Sequence, residues 1–251
     1  MNPLDQQLLL RANGLVGGSP ALFEAALLLC GTLPLVTCVA VLVALWWTDP
    51  ERTVHGPWLG ESGGGPGEGL LVSRRRCVAL SGAIGMAFIL TRLVAFATDL
   101  PRPLGREALQ VPLDAEHWQN LVRGMTGFGA FPSDHAALFF AMAVGLFAWN
   151  RRAGIAGLTV AVLLSAARVV VGFHYPSDMV AGAAMGAALA GGAMTLARGP
   201  QPVLDGVVQL FVRRPALMYP LMFVVALDFT QHFRLVFRTV FYFLFGLLGG
   251  R

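Results

Sequence analysis

Residues 153–197 decide the reading: AGIAGLTVAVLLSAARVVVG (153–172), FHYPS (173–177) and DMVAGAAMGAALAGGAMTLA (178–197). A helix that crosses a bilayer needs about 20 mostly apolar residues. Each flanking stretch has that length, and a short polar turn joins them, so they predict two antiparallel spans. Working outward, three more runs qualify. Ala136–Trp149 is extended upstream by Phe131, Pro132 and Ser133. Cys77–Thr98 carries a single charge, Arg92. Ala21–Trp47 is broken only by Glu24, is too long for a signal-peptide core, and reads as a retained span. Five spans result, with a sixth span or a membrane-associated hairpin expected after Arg198. The expected fold is an all-α polytopic transmembrane helix bundle of five to six spans.

Composition agrees. The chain has 251 residues, of which 56% are hydrophobic and 13% charged, and a mean hydropathy of +0.66. Soluble domains carry about 25% charged residues. A soluble enzyme, a disordered tail and a nucleic-acid-binding domain are set aside, and no nucleic-acid partner is expected. The net charge is +4, and all 18 basic residues are Arg. Cys30, Cys38 and Cys77 lie in or beside apolar runs and read as small buried hydrophobes.

Arginine placement predicts orientation. Arg52, Arg74, Arg75, Arg76, Arg151, Arg152, Arg198, Arg213 and Arg214 fall on one side of the alternating spans, which the positive-inside rule makes cytoplasmic. Arg11, Arg102, Arg106 and Arg123 fall on the other, outer side. The stretch 48–76 contains SGGGPGEG (62–69), a flexible connector. In the C-terminal segment, Arg234 and Arg238 are placed to face headgroups and His232 reads as an interfacial polar residue. Gly182 and Gly186 give small-xxx-small spacing. Helix packing inside the bundle is the expected use, with dimerisation as the alternative. Trp118, within 104–130, marks an interfacial anchor in a loop that either lids the headgroup or simply connects.

Ionisable groups at membrane depth are costly and are functional candidates by default. Here they gather at the outer end: Arg102-Pro103 after the second span, Ser133-Asp134-His135 at the third, Arg168 ending the fourth, and His174 with Asp178 opening the fifth. Two segments, Phe131-Pro132-Ser133-Asp134 and Tyr175-Pro176-Ser177-Asp178, read as helix starts. Free amides at such starts suit an anion. Ser133 and Asp134 are assigned to phosphate on this basis, and Ser177 to ordinary capping. Arg102 and Arg168 offer planar two-pronged donors for phosphate. His174, four residues before Asp178, suits a nucleophile whose ring a carboxylate orients. His135 suits a general acid that later activates water. A metal site built from the two His and two Asp is the competing chemistry, and no tight ligand motif supports it.

These residues resemble the type 2 phosphatidic acid phosphatase family of membrane lipid phosphatases. Its motifs are Lys-x6-Arg-Pro, Pro-Ser-Gly-His and Ser-Arg-x5-His-x3-Asp. The chain has Arg102-Pro103 with Ala95 at the Lys position, then Pro132-Ser133-Asp134-His135, then Ala167-Arg168 with His174 and Asp178 at the motif's spacing. The resemblance covers about 77–197. Residues 1–198 are expected to form the phosphatase-like membrane domain, and 199–251 a membrane-associated extension. Asp134 in place of Gly resembles the bacterial undecaprenyl-diphosphatase branch linked to bacitracin resistance, as does the short polar N-terminal segment before the first span. Arg92 and Arg106 are the candidates to replace the missing Lys.

The resemblance implies hydrolysis of a lipid phosphate at the outer face of a bacterial inner membrane. It implies a phosphohistidine at His174, with no metal and no cofactor. The expected partners are the lipid phosphate substrate and membrane lipids. Undecaprenyl diphosphate leads, with phosphatidylglycerol phosphate, phosphatidic acid and lipid A phosphates as alternatives. A non-hydrolytic lipid-binding protein and a vanadate-dependent haloperoxidase are the competing classes.

Overall fold

A computed structural model describes residues 3–48, 68–125, 129–199 and 201–231. The expectations for Arg52, most of the 48–76 connector, His232, Arg234 and Arg238 lie outside these residues. The described residues are helical, without a strand. In chain order the helices are α1 (Pro3–Gly17), α2 (Pro20–Cys30), α3 (Leu33–Trp46), α4 (Glu68–Thr98), α5 (Ala115–Met125), α6 (Asp134–Leu146), α7 (Arg151–Val170), α8 (Pro176–Leu196), α9 (Pro202–Arg213) and α10 (Pro215–Thr230).

α6 is the centre of the bundle. It is apolar on every side, and such a helix must be surrounded. Ala136, Ala137, Ala141 and Ala143 are buried to 1% exposure or less, and α4, α7 and α8 pack around it. Small residues set the α6–α8 distance. A Cβ on Gly182 would collide with the Ser133 carbonyl, and one on Gly186 with the Ala137 carbonyl. The Gly182/Gly186 pair therefore serves packing inside the bundle, as expected. Outward, Ile155, Val162, Leu163, Val180 and Leu196 are exposed, the surface a bilayer would cover.

Among the described residues, three helices are long and apolar enough to cross a membrane: Gly69–Thr98, Arg151–Val170 and Pro176–Leu196. The number rises to five if each of two sharply bent pairs is one span: α1 with α2, at 117°, and α9 with α10, at 113°. The protein is an integral membrane helical bundle.

The expected third span, Ala136–Trp149, is the 13-residue helix α6, which ends at Leu146 and is shorter than a membrane-crossing helix. Two further boundaries differ from the sequence expectation. The apolar run Ala21–Trp47 is not one helix, because it breaks at Gly31–Thr32 into α2 and α3. Pro34 sits in the first turn of α3, where a missing N–H costs nothing. At the break, Arg168 donates through Nη1 to the Cys30 carbonyl at 2.9 Å, satisfying a group the helix end leaves open. Apolar content does not reveal this stop. Its local signals are Gly31 and Pro34, and its open carbonyl is satisfied from a residue 138 positions away. The second span also begins earlier, at Glu68, so Arg74, Arg75 and Arg76 are helical. They tie the bundle's far end together: Arg74 lies over Trp46 and Trp47, Arg75 pairs with Asp205, and Arg76 donates to the Ala148 carbonyl.

All three cysteines are buried and free. The 104–130 segment is partly helical as α5, and Trp118 packs with Phe23, Leu104, Val171 and Phe173 rather than standing apart.

Candidate active site

Four elements end at one place. α4 brings Arg92 and the following loop brings Arg102. α6 starts with Asp134 and His135. α7 ends near Arg168, and the turn into α8 carries His174 before Asp178. The starts of α6 and α8 are joined directly, with the Ser133 N–H donating to the Asp178 carbonyl at 3.0 Å.

His174 is 1% exposed. Its Nδ1 lies 3.0 Å from the Ala130 carbonyl, and its Nε2 lies 3.0 Å from Arg102 Nη1. A carbonyl only accepts and a guanidinium only donates. The neighbours therefore assign the proton to Nδ1 and leave a lone pair on Nε2. Burial pushes the imidazole pKa from 6.5 down to about 4, which keeps the ring neutral. Asp178 Oδ2 is 3.5 Å from Nδ1 and also accepts the Tyr175 N–H at 2.9 Å. The sequence pairing of His174 with Asp178 is thus shared with a backbone carbonyl that closer approach favours. No side-chain motif announces that carbonyl.

His135 is 6% exposed and sits on the first turn of α6. Its Nδ1 is 2.7 Å from Asp134 Oδ1, and its own N–H donates to that oxygen at 2.8 Å. The other oxygen, Oδ2, takes Arg92 Nη2 at 2.5 Å. Asp134 thus bridges Arg92 and His135. A carboxylate in this position repels a phosphoryl oxygen, so its geometry suits orientation of His135 rather than the phosphate contact read from sequence.

Arg102 donates through Nη1 to the Phe173 carbonyl at 3.1 Å as well as to His174. The ion pairs of the described residues include neither Arg102 nor Arg168. The Nε–H of each is buried and has no acceptor among the described residues. Burial first, and then Arg168 and Arg92, lower the pKa of Arg102, while Asp134 and Asp178 oppose them. Three guanidiniums thus face two carboxylates, an excess of one positive charge beside a neutral His174. Such a site favours an anion.

Thr91, Arg92, Ala95, Arg102, Gly129, Pro132, Asp134 and His174 line a cavity of about 10 Å³, the space of about one water. Arg92 lines it and Arg106 does not, since Arg106 is exposed in the 99–114 loop. Arg168 lies outside the lining, held by the Cys30 carbonyl and stacked over Phe173. Ser133 is the N-cap of α6, its Oγ accepting from the Ala136 N–H at 3.3 Å. Ser177 does not cap through its own turn. Its N–H and hydroxyl both donate to Asp5. Asp5, Ala130 and Cys30 escaped sequence reasoning because two act through backbone carbonyls and one lies far away in the chain. Among the described residues, no group of three or more His, Cys, Asp or Glu is arranged to hold a metal ion.

Two buried histidines and three arginines thus gather at one end of a membrane helical bundle. The family follows from comparison: residues 76–200, about half of the chain, match the PAP2 superfamily, and the chain belongs to it through this domain. Two relatives are similar over shorter stretches. The bacitracin transport permease protein BcrC of Bacillus licheniformis is 39% identical over 57 residues, which is 23% of this chain and 28% of that protein. The lipid A 1-phosphatase of Rhizobium johnstonii is 43% identical over 67 residues, 26% of each chain. The chain spans just over a quarter of the length of these relatives. No solved structure matches.

Proposed function

We propose that the protein is a lipid phosphatase that hydrolyses a polyprenyl diphosphate of the undecaprenyl type to the monophosphate and phosphate. The observation that carries this reading is the state of His174: its proton is held on Nδ1 and its Nε2 lone pair points to Arg102 at 3.0 Å. A neutral imidazole with one nitrogen fixed and the other facing a guanidinium is arranged to attack a phosphorus atom.

In the proposed reaction, the terminal phosphate draws the Arg102 hydrogen bond from Nε2 onto a phosphoryl oxygen. The small cavity opens by this exchange. Nε2 attacks phosphorus, the bond to the bridging oxygen breaks, and that oxygen takes a proton from His135. Asp134, braced by Arg92, orients His135 for the transfer. Asp178 and the Ala130 carbonyl hold the His174 ring. Arg102 stabilises charge on the equatorial oxygens, where phosphoryl transfer gains most. Arg168 adds positive charge from outside the cavity, while the Ser133, His135 and Ala136 amides are already taken by Asp178, Asp134 and the Ser133 hydroxyl. His135 then takes a proton from water. The resulting hydroxide attacks phosphorus, the P–N bond breaks, its electron pair returns to Nε2, and phosphate leaves.

The polyprenyl diphosphate is favoured by the likeness of Asp134 and the N-terminal segment to the bacitracin-resistance branch. The similarity to a lipid A 1-phosphatase favours a lipid A phosphate as the second substrate reading. We further propose that residues 1–198 form the catalytic domain and 199–251 a membrane-associated extension. The site is assigned to the outer face of a bacterial inner membrane.

Phosphate release by the purified protein in detergent tests the reading on undecaprenyl diphosphate, phosphatidylglycerol phosphate, phosphatidic acid and lipid A. Release is expected to be fastest from undecaprenyl diphosphate and abolished in His174→Ala. His135→Asn is expected to lose about 10²–10⁴-fold in kcat. No release from any of the four lipids by folded protein would refute the enzyme reading. Full activity in His174→Ala would refute the mechanism.

A further inference from the structure

The turn between α7 and α8 carries His174 but has little regular structure of its own. Gly172 adopts a positive φ of 86° there, a conformation glycine enters without strain. From the bundle side the turn is held by the Leu104 N–H on the Gly172 carbonyl at 3.0 Å and by the Phe173 N–H on the Arg168 carbonyl at 2.9 Å. Another side is closed by α1, which lies outside the matched domain 76–200.

α1 faces the bundle with Asp5, Leu9, Asn13 and Gly17, all buried and four residues apart, one stripe of a helix. Leu4, Leu8, Arg11 and Leu15 are exposed. The buried stripe is half polar, and its polar groups reach the catalytic turn and the Arg102 loop. Asp5 accepts the Ser177 N–H at 3.0 Å and the Ser177 hydroxyl at 2.5 Å, three residues after His174. Asn13 donates to the Val170 carbonyl at 2.9 Å and to the Gln110 carbonyl at 3.2 Å, and accepts the Gln110 N–H at 2.7 Å. Beside the stripe, Gln6 donates to Glu107 at 2.6 Å, and Glu107 accepts the Tyr175 hydroxyl at 2.8 Å. A carboxylate at the start of α8 also complements the positive end of that helix.

We propose that α1 is a strap that positions the nucleophile, and that Asp5 and Asn13 are its positioning residues. The strap spans the turn from Val170 to Ser177 and joins it to the loop that carries Arg102. It thereby sets the distance between His174 Nε2 and Arg102 Nη1. A misplacement of about 1 Å at such a pair costs on the order of 10² in rate without loss of binding. The inference rests on the proposed phosphatase reading, which makes His174 the nucleophile.

The test uses the full chain in detergent, with Asp5→Ala, Asp5→Asn, Asn13→Ala, Ser177→Ala and the Asp5→Ala/Ser177→Ala double variant. Hydrogen exchange is read on peptides covering 170–179, with α4 and α6 peptides as internal controls. Exchange at 170–179 is expected to rise in Asp5→Ala and less in Asp5→Asn, while the controls stay unchanged. On the lipid that the wild type hydrolyses, kcat is expected to fall about 10–100-fold in Asp5→Ala, with KM within about twofold. The double variant is expected to lose no more than Asp5→Ala alone. Unchanged exchange at 170–179, unchanged kcat in an active background, or fully additive losses would overturn the strap. A wild type that releases no phosphate would refute the phosphatase reading, whereas exchange decides separately whether α1 holds the turn.

Discussion

His174 and Arg92 are the residues whose chemistry depends most on their neighbours. The ring of His174 is neutral because burial lowers its pKa from 6.5 to about 4. An unfolded chain therefore binds more protons than the folded one between these values. The contribution of His174 to stability is constant above pH 6.5 and declines as pH falls towards 4. An NMR titration of the His174 ring is expected to show a midpoint near pH 4, and a midpoint near 6.5 would contradict the buried geometry. Arg92 and Arg106 separate at the same scale. Arg92 supports Asp134 and lines the cavity, while Arg106 is exposed. Arg92→Ala is expected to lower kcat/KM by about 10²-fold, through a displaced His135. Arg106→Ala is expected to stay within about twofold. Steady-state kinetics on the preferred lipid distinguishes them.

Helices carry the site by where they stop. α6 and α8 start beside each other because glycines let their backbones approach. Gly186→Val is therefore expected to force them apart and to destabilise the protein by about 1–3 kcal/mol, measured by unfolding in mixed detergent. Helix existence in α4, α7 and α8 was readable from apolar length, because a bilayer demands it. Helix interruption in Ala21–Trp47 was not. Gly31 with Pro34 is a local stop signal that apolar length hides, and Arg168 on the Cys30 carbonyl satisfies the helix end it leaves. The site residues were readable for a related reason: ionisable groups next to apolar runs stand out. Their pairings were not, since Asp134 had two available roles and only the approach of Arg92 selects one.

The arrangement of the entire bundle has two unlike ends. One gathers Arg92, Arg102 and Arg168 around the histidines. The other gathers Arg74, Arg75 and Arg76 against Trp46, Trp47, Asp205 and the Ala148 carbonyl. The native cysteines are buried, so single added cysteines report sidedness with little background. Arg106→Cys is expected to react with an impermeant maleimide in intact spheroplasts, and Arg152→Cys only after permeabilisation. The reverse pattern would invert the proposed orientation.

Residue order alone established that the chain is a helical membrane protein, which groups are costly at membrane depth, and that they collect at one end. These follow from local physics: apolar length, helix-start chemistry and the alternation of spans. Folding in three dimensions settled which group touches which. It turned Asp134 towards His135 and Arg92, set the Ala130 carbonyl on His174 and bent α1 across the catalytic turn. Each of these is a contact between distant segments, and its energy depends on geometry that neither partner's sequence neighbourhood encodes.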